Sequence, residues 1–272
     1  MDNRPVGFFD SGLGGLTCVT SLMKELPDER IIYFGDTART PYGSKAESTI
    51  RGFSEEIAGF LVKSGVKMIV IACNTVSATC LNHLRERFPE VPILGVIEPA
   101  ARKVAATCSE KNNIGIIGTK VTITSGAYEK AIRKYNADLN IFEYACPAFV
   151  PLIEEGIIDN EIMDLMIKYY MDDFVYGNGL DTLVLGCTHY PLISGSIERI
   201  YPRLRIVNPS QIVVGDIRKV LEDGDTLADA SERDNVFYAS DLSENFINMI
   251  DYIFKNETAG TKVKFLNFDR RI

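Results

Sequence analysis

The feature that most constrains this chain is an apolar run that occurs twice and ends in a cysteine each time. Residues 65–75 read Gly-Val-Lys-Met-Ile-Val-Ile-Ala-Cys-Asn-Thr, and residues 179–189 read Gly-Leu-Asp-Thr-Leu-Val-Leu-Gly-Cys-Thr-His. Continuous apolar runs of this length are typical of strands that are buried on both faces of a parallel sheet. Cys73 and Cys187 then lie where a strand ends and a helix begins, which is where open α/β sheets bind ligands.

A second repeat precedes the first one in each half of the chain. Residues 6–11, Val-Gly-Phe-Phe-Asp-Ser, match residues 114–119, Ile-Gly-Ile-Ile-Gly-Thr, and both lie at nearly equal distances from their cysteine. Strand-like and helix-like segments alternate along the whole chain, which indicates parallel α/β sheets. We therefore predict an α/β fold of two pseudo-symmetric, open parallel-sheet half-domains that face each other across a central cleft.

The repeats also predict the domain boundaries. Residues 1–97 plus 209–272 would form the first domain, which carries Asp10 and Cys73. Residues 98–208 would form the second, which carries Cys187 and His189.

Local signals predict several element boundaries. One helix is expected from the residue after Cys73 to about Phe88, and another from Ile123 to Tyr135. Ser44 and Glu47 have the spacing of a capping box. Glu98-Pro99 is expected to mark the crossing between the halves. A helix over 241–255 and a strand over 262–266 are expected to complete the first half.

Composition restricts the possible partners and compartment. The net charge of −8 argues against nucleic acid as the main partner, because phosphate binding needs a basic face. No apolar run approaches the ~20 residues of a membrane span, and the N-terminus has no signal-peptide shape. Six cysteines in 272 residues do not make a disulfide scaffold. We expect a reduced, cytoplasmic protein that is not associated with membranes.

The motifs favour no metal and no cofactor. Cys73 and Cys80 lie too far apart for a zinc-binding pair. The Gly12–Thr17 segment lacks the third glycine of a dinucleotide fingerprint. The motifs at the predicted strand ends contain no lysine that could form a Schiff base with pyridoxal phosphate.

Two thiols on opposite sides of one cleft suit a particular chemistry. One thiolate can remove a proton from a carbon acid while the other thiol donates a proton from the far face, which inverts the centre. A thiol pKa of about 8.5 is close to working pH. Asp10 and His189, one near each cysteine, are candidate second acid/base groups. The simpler interpretation is that both cysteines are ordinary buried residues, but the repeat makes it less favourable.

Four motifs carry a resemblance to a known family: Asp10-Ser-Gly-Leu-Gly-Gly, Pro41-Tyr-Gly, Ala72-Cys-Asn-Thr and Gly186-Cys-Thr-His-Tyr-Pro. Their order and spacing resemble those of the cofactor-independent glutamate racemases of the amino-acid racemase superfamily. The resemblance covers essentially the whole chain. It implies interconversion of L- and D-glutamate, with D-glutamate supplied to peptidoglycan, and assembly as a homodimer.

The resemblance also implies roles for individual residues. Cys73 would deprotonate D-glutamate and Cys187 would deprotonate L-glutamate, with Asp10 and His189 assisting and Glu154 supporting the histidine. The remaining implied contacts are to substrate: Asp10 and Ser11 with the ammonium, Asn74, Thr75 and Thr188 with the α-carboxylate, and Tyr42 and Gly43 with the side-chain carboxylate. His189 is also expected to bind substrate.

Alternatives remain at this point. The substrate could be aspartate, since loop geometry sets the accepted side-chain length. Cys73 and Cys187 could form a redox disulfide, or the protein could be a two-lobed amino-acid-binding module without turnover. A Cys–His hydrolase is a weaker possibility, because His189 follows Cys187 by only two residues at one strand end.

Overall fold

The computed structural model of the chain describes residues 1–229, 234–242, 244–254 and 264–267. The ends of two predicted elements, Lys255 and residues 262–263, lie outside the described residues.

Strands and helices alternate along the described chain. The strands are β1 (Val6–Asp10), β2 (Ile31–Gly35), β3 (Met68–Ile71), β4 (Ile93–Gly95), β5 (Asn113–Gly118), β6 (Asn140–Ala145), β7 (Thr182–Gly186), β8 (Arg205–Val207), β9 (Val236–Ala239) and β10 (Lys264–Asn267). The helices are α1 (Leu16–Glu25), α2 (Glu47–Lys63), α3 (Asn74–Thr79), α4 (Leu81–Arg87), α5 (Ile97–Thr107), α6 (Lys120–Thr124), α7 (Ala127–Tyr135), α8 (Phe149–Glu154), α9 (Glu161–Gly177), α10 (Ser194–Ile200), α11 (Pro209–Asp223) and α12 (Glu244–Phe254). Short 3₁₀ turns cover Thr37–Arg39, Tyr42–Ser44 and Tyr190–Ile193.

The strands form two parallel sheets with related strand orders. The first runs β10-β9-β2-β1-β3-β4 and the second runs β6-β5-β7-β8. The four strands β2-β1-β3-β4 thus correspond to β6-β5-β7-β8. The register agrees as well, since Val6 pairs with Met68 in one sheet and Ile114 pairs with Thr182 in the other. The predicted fold of two pseudo-symmetric parallel α/β halves is confirmed.

Close packing explains why a glycine recurs at the same position of each repeat. A Cβ on Gly7 would lie 2.9 Å from Val66 Cγ1, and a Cβ on the equivalent Gly115 would lie 2.5 Å from Leu180 Cδ1. Each half therefore needs a glycine where the chain that enters β3 or β7 crosses the neighbouring strand. Gly65 and Gly179, which turn the chain into these strands, both have positive φ, +73° and +56°.

The strands β1, β3 and β7 are buried along their whole length, as their apolar sequences predict. The first sheet draws its strands from residues 6–95 and 236–267, and the second from residues 113–207. The predicted boundaries at 97/98 and 208/209 stay a prediction. In the part of the chain that is described, no helix is long and apolar enough to cross a membrane.

Two of the predicted helices are each divided in two. The helix expected from Cys73 to Phe88 is interrupted at Cys80, which separates α3 from α4. The helix expected from Ile123 to Tyr135 is interrupted at Gly126, whose φ of +60° ends α6 and begins α7. The apolar period continues through both breaks, so periodicity alone does not reveal them.

One further boundary prediction, the capping box of Ser44 and Glu47, is wrong. No side chain caps α2, which begins at Glu47 after an N-cap at Ala46, because Ser44 ends a 3₁₀ turn and extended backbone separates it from the helix. Glu98 and Pro99 lie in the first turn of α5, where proline is tolerated because the N–H would have no helical partner. This helix follows β4 of the first sheet and precedes β5 of the second, and the crossing between the halves at Glu98-Pro99 stays a prediction.

Candidate active site

Cys73 follows β3 and lies at the N-terminus of α3. Its side chain is 4% exposed, and its thiol donates a hydrogen bond to Ser11 Oγ at 3.6 Å. Ser11 follows β1, the neighbouring strand, so the parallel pairing of β1 and β3 brings the two side chains together. The structure therefore brings the predicted thiol and the predicted serine to the same edge of the first sheet.

Cys187 follows β7 in the second sheet and is 7% exposed. His189 Nδ1 lies 3.8 Å from Cys187 Sγ, and His189 Nε2 lies 3.1 Å from Glu154 Oε1. Glu154 is the last residue of α8 and also accepts a hydrogen bond from Thr40 Oγ1 at 3.4 Å. A chain of polar contacts thus runs from the second thiol through the imidazole to a carboxylate.

Asp10 ends β1 with a fully buried side chain. Its Oδ2 accepts hydrogen bonds from the backbone N–H groups of Gly12 at 3.2 Å and Gly15 at 3.0 Å. Thr188 Oγ1, from the second half, donates to Oδ1 at 3.3 Å. The glycine-rich turn after β1 therefore wraps around this carboxylate, and Asp10 is held by both halves.

Three threonine hydroxyls meet between the halves. Thr75 Oγ1 lies 3.1 Å from Thr119 Oγ1 and 3.3 Å from Thr122 Oγ1. Thr119 and Thr122 are themselves 3.0 Å apart, and Thr119 caps the N-terminus of α6. Gly43 packs so closely against Thr119 that a side chain on it would overlap the threonine. These small polar groups could bind a carboxylate.

Two tyrosines orient groups around the site. Tyr128 Oη donates to Asn74 Oδ1 at 2.6 Å across the two halves, which leaves the amide N–H₂ of Asn74 available as a donor. Tyr42 is buried and donates to the buried carboxylate of Asp36. The side chain of Tyr42 thus points into the first half, while its neighbour Gly43 faces Thr119.

Burial and neighbouring charges shift the pKa values of three groups at the site: Cys73, Asp10 and His189. Burial, together with the charge of Asp10, raises the pKa of Cys73 to about 12. Burial also raises the pKa of Asp10, although His189 and the hydrogen bonds from Gly15, Gly12 and Thr188 oppose this. Burial alone would lower the pKa of His189, but its contacts with Cys187 and Glu154 raise that pKa well above the usual value. The imidazolium form is therefore favoured beside Cys187.

Sequence comparison agrees with this arrangement. The chain matches the Asp/Glu/hydantoin racemase family over residues 17–217. It is 44% identical over 248 residues to the glutamate racemase of Geobacter metallireducens, covering 90% of this chain and 91% of the relative. It is 46% identical over 217 residues to the glutamate racemase of Sulfurihydrogenibium sp., covering 79% and 82% of the two chains.

The chain belongs to the Asp/Glu/hydantoin racemase family.

Solved structures of glutamate racemases share the fold of essentially the whole chain. The glutamate racemase of Francisella tularensis in complex with D-glutamate has a TM-score of 0.90 and 36% identity, covering 99% of this chain and 98% of that one. The aspartate racemase of Picrophilus torridus has a TM-score of 0.56 at 17% identity, and covers 80% of this chain and 94% of that one, which shows likeness of fold alone. The protein is an amino-acid racemase, an isomerase.

Several residues of this racemase site were not found by sequence reasoning. Thr119 had a signal, because it occupies the position that Ser11 holds in the repeated segment. Thr122, Tyr128 and Thr40 had none, because their contacts with Thr75, Asn74 and Glu154 join one half to the other. The other histidine of the chain, His83, is not part of this site: it lies on α4, is half-buried and pairs with Glu55 at 2.5 Å.

The polar residues and glycines described above around the two thiols include no lysine. The other four cysteines are buried, and all six thiols are free. Cys73 and Cys187 differ from the rest in lying at equivalent strand ends with an acid/base group beside each.

Proposed function

We propose that this racemase interconverts L- and D-glutamate by a two-base mechanism in which Cys73 and Cys187 act on opposite faces of Cα. The observation that carries the proposal is the pair of buried thiols at equivalent strand ends, each beside a polar partner: Ser11 at 3.6 Å and His189 at 3.8 Å. Glutamate as the substrate is supported by the names of the relatives and by the D-glutamate bound in the Francisella tularensis enzyme.

The two thiols have unequal starting states. The raised pKa of Cys73 keeps it protonated in the free enzyme, so that it is ready to donate a proton. The pKa of His189 is raised by its contacts with Cys187 and Glu154, so a positive charge is favoured next to the second thiol. The free enzyme is therefore prepared for L-glutamate: Cys187 takes the Cα proton, and Cys73 donates a proton to the opposite face, which gives D-glutamate.

The reverse reaction needs the opposite protonation states. Cys73 must become a thiolate next to Asp10, which is unfavourable while both are buried. We propose that the substrate ammonium lies at Asp10 and Ser11, where its positive charge lowers the pKa of Cys73. Binding of D-glutamate thus assists formation of the base that deprotonates it.

The proposed carboxylate contacts use the remaining polar groups. The free N–H₂ of Asn74 and the hydroxyls of Thr75 and Thr188 would bind the α-carboxylate, and Tyr42 and Gly43 would border the side-chain carboxylate. Hydrogen bonds from hydroxyl and amide donors can hold a carboxylate without a cationic side chain. Supply of D-glutamate for peptidoglycan, in the cytoplasm, is the role that follows for such an enzyme.

The test is incubation of the protein with L-glutamate in heavy water without added cofactor, followed by chiral chromatography and mass spectrometry. We expect D-glutamate that carries deuterium at Cα. A parallel incubation with L-aspartate tests the shorter substrate, and turnover of aspartate alone would replace glutamate in the proposal.

Replacement of one thiol tests the two-base mechanism. Cys73→Ala should lose racemisation by at least about 10²-fold and remain folded. Cys80→Ala, which removes another buried thiol on the same side of the first sheet, is the matched control and should racemise normally. Racemisation by Cys73→Ala at the wild-type rate would contradict the mechanism.

A further inference from the structure

Residues 36–44 form the segment of the first half that reaches across to the second half beside the active site. This segment, which we call the cleft loop, leaves the carboxyl end of β2 and precedes α2. Thr40 Oγ1 donates to Glu154 Oε1 of the second half at 3.4 Å, and Gly43 packs against the side chain of Thr119. The loop therefore forms one wall of the space beside the Thr119 hydroxyl.

One buried carboxylate holds this loop. Asp36 directly follows β2 and is fully buried, and its backbone N–H donates to the carbonyl oxygen of Asp10 at 3.0 Å. Its Oδ1 accepts a hydrogen bond from Ser240 Oγ at 2.8 Å, and its Oδ2 accepts hydrogen bonds from Tyr42 Oη and from Arg39 Nε, the latter at 2.6 Å. Two of these three donors belong to the cleft loop, so the loop folds back onto the residue at which it starts.

Arg39 is the one charged group among the three side-chain donors. Its Nη1 also lies 2.6 Å from Glu56 Oε2, and its guanidinium lies 4.0 Å from the centroid of the Phe53 ring. The Phe53 ring in turn contacts the Tyr42 ring, with centroids 5.6 Å apart. Arg39 thus holds the loop in two ways, directly at Asp36 and through Phe53 at Tyr42.

The two ion pairs of Arg39 differ in burial. The Asp36 side chain has no exposed surface, whereas the Glu56 side chain is 67% exposed. An exposed pair is screened by water and contributes little, whereas removal of one partner from a buried pair leaves the other without compensation in the interior. Arg39 therefore positions the loop through Asp36 and not through Glu56.

We propose that Arg39 is a positioning residue for the side chain of the substrate: through Asp36 and Tyr42 it fixes the cleft loop where it meets the side-chain carboxylate of glutamate. The guanidinium is directed to Asp36 and to α2, so it acts on substrate only through the loop. The inference rests on the proposed function, in which Tyr42 and Gly43 border that carboxylate.

This role has a particular kinetic effect. The contacts of Arg39 include neither thiol and not His189 among the described residues. Loss of contacts to a part of the substrate that does not react weakens binding of substrate and transition state alike, which raises KM and leaves kcat nearly unchanged. A loop that acted instead through Thr40 and Glu154 on the imidazole would change kcat.

The experiment measures KM and kcat for racemisation of L-glutamate by Arg39→Met. We expect KM to rise about 10-fold or more while kcat falls by less than about 3-fold. Arg39→Lys keeps the charge but lacks the planar fork that serves Asp36 and Glu56 together, so its KM should lie between those of the wild type and Arg39→Met. Glu56→Gln is the matched control, because it removes only the exposed pair, and both constants should stay within about 2-fold of the wild type.

A double variant tests whether the effect passes through Asp36. Tyr42→Phe removes the other loop donor to the same carboxylate oxygen and should also raise KM. Because both donors act on one oxygen, their effects should not be independent: Arg39→Met combined with Tyr42→Phe should have a KM within about 2-fold of that of Arg39→Met alone. Full multiplication of the two single increases would overturn the shared role of Asp36.

A destabilised variant controls for a merely structural role of Arg39. Lys67→Met removes the ion pair between Lys67 and Glu29, whose side chains are equally buried. It should unfold at lower urea concentration than the wild type and keep both kinetic constants. If Arg39→Met does not fold, Arg39→Lys serves as the test, with KM raised at least about 3-fold.

The outcomes separate the two proposals. Unchanged KM in the Arg39 variants, a lower kcat at unchanged KM, or an equal rise of KM in Lys67→Met would overturn the role of Arg39 and leave the racemase mechanism in place. Absence of glutamate racemisation by the wild type would refute the proposed function itself.

Discussion

The hydroxyl of Thr188 donates a hydrogen bond to the carboxylate of Asp10, Oγ1 to Oδ1, at 3.3 Å. This contact joins the turn after β7 to the end of β1 and thus connects the two halves at the site. It also supplies the only side-chain donor to Asp10 among the described residues, since the other two donors are backbone N–H groups.

Thr188→Val keeps the side-chain shape and removes this donor. A buried carboxylate that loses a hydrogen bond costs about 1.5–3 kcal/mol, so kcat/KM should fall about 10- to 100-fold. The pKa of Asp10, already raised by burial, should rise further and move the acid limb of the rate profile to higher pH. Thr188→Ser should restore both quantities, and a Val variant with wild-type kinetics would contradict the role of this contact.

Gly14→Ala should displace the side chains of His189 and Thr188. A Cβ at Gly14 would lie 2.5 Å from both His189 Nδ1 and Thr188 Oγ1, so these side chains must shift. A displacement of this size at the reacting groups should lower kcat about 10²-fold. The matched control is Gly52→Ala in α2, where nothing lies within 4 Å of the new Cβ. That variant should keep its activity and gain about 0.5–1 kcal/mol of stability, as measured by urea unfolding.

The buried ion pair of Lys67 and Glu29 should affect stability and not activity. Nζ lies 2.6 Å from Oε2, with both side chains no more than 2% exposed, and it also donates to the backbone oxygens of Asp2 and Thr226. Lys67→Met should lower the free energy of unfolding by about 3–5 kcal/mol, because it leaves a buried carboxylate unpaired.

Arg51→Met is the control for that measurement, because the pair between Arg51 and Glu47 is exposed on both sides. Its unfolding free energy should change by about 0.5 kcal/mol or less. A Lys67→Met protein as stable as this control would show that the buried pair contributes nothing net.

Glu143 on β6 should make stability depend on pH. Burial, with repulsion from Glu129, raises the pKa of this carboxyl from 4.5 to about 7. The folded protein therefore holds a proton that the unfolded chain releases, so the contribution of this group is full below about pH 4.5 and is lost as the pH rises through about 7. Glu143→Gln should remove this loss.

Urea unfolding at pH 5 and pH 8 measures the effect. Relative to Glu143→Gln, the wild type should be less stable at pH 8 than at pH 5. The same difference at both pH values would mean that Glu143 titrates normally in the folded protein.

Much of the fold followed from local pattern. The apolar runs around Ile69 and Val184 are buried strands as predicted, and their repeat matches the register of the two sheets. The helix breaks at Cys80 and Gly126 did not follow, because the apolar period continues across them. Propensity and spacing report on neighbours in the chain and are least informative about element ends.

By itself, the sequence determined the two-fold repeat, the two cysteines at strand ends, the glycines that the strands require and the resemblance to the racemase family. The repeat has a local physical basis in strand burial and glycine packing, which is why it can be read from one chain. The tertiary structure alone decided which groups meet between the halves: Thr75 with Thr119 and Thr122, Asn74 with Tyr128, and Thr40 with Glu154. These contacts depend on how two sheets are placed relative to each other, and no period or spacing along the chain encodes that placement.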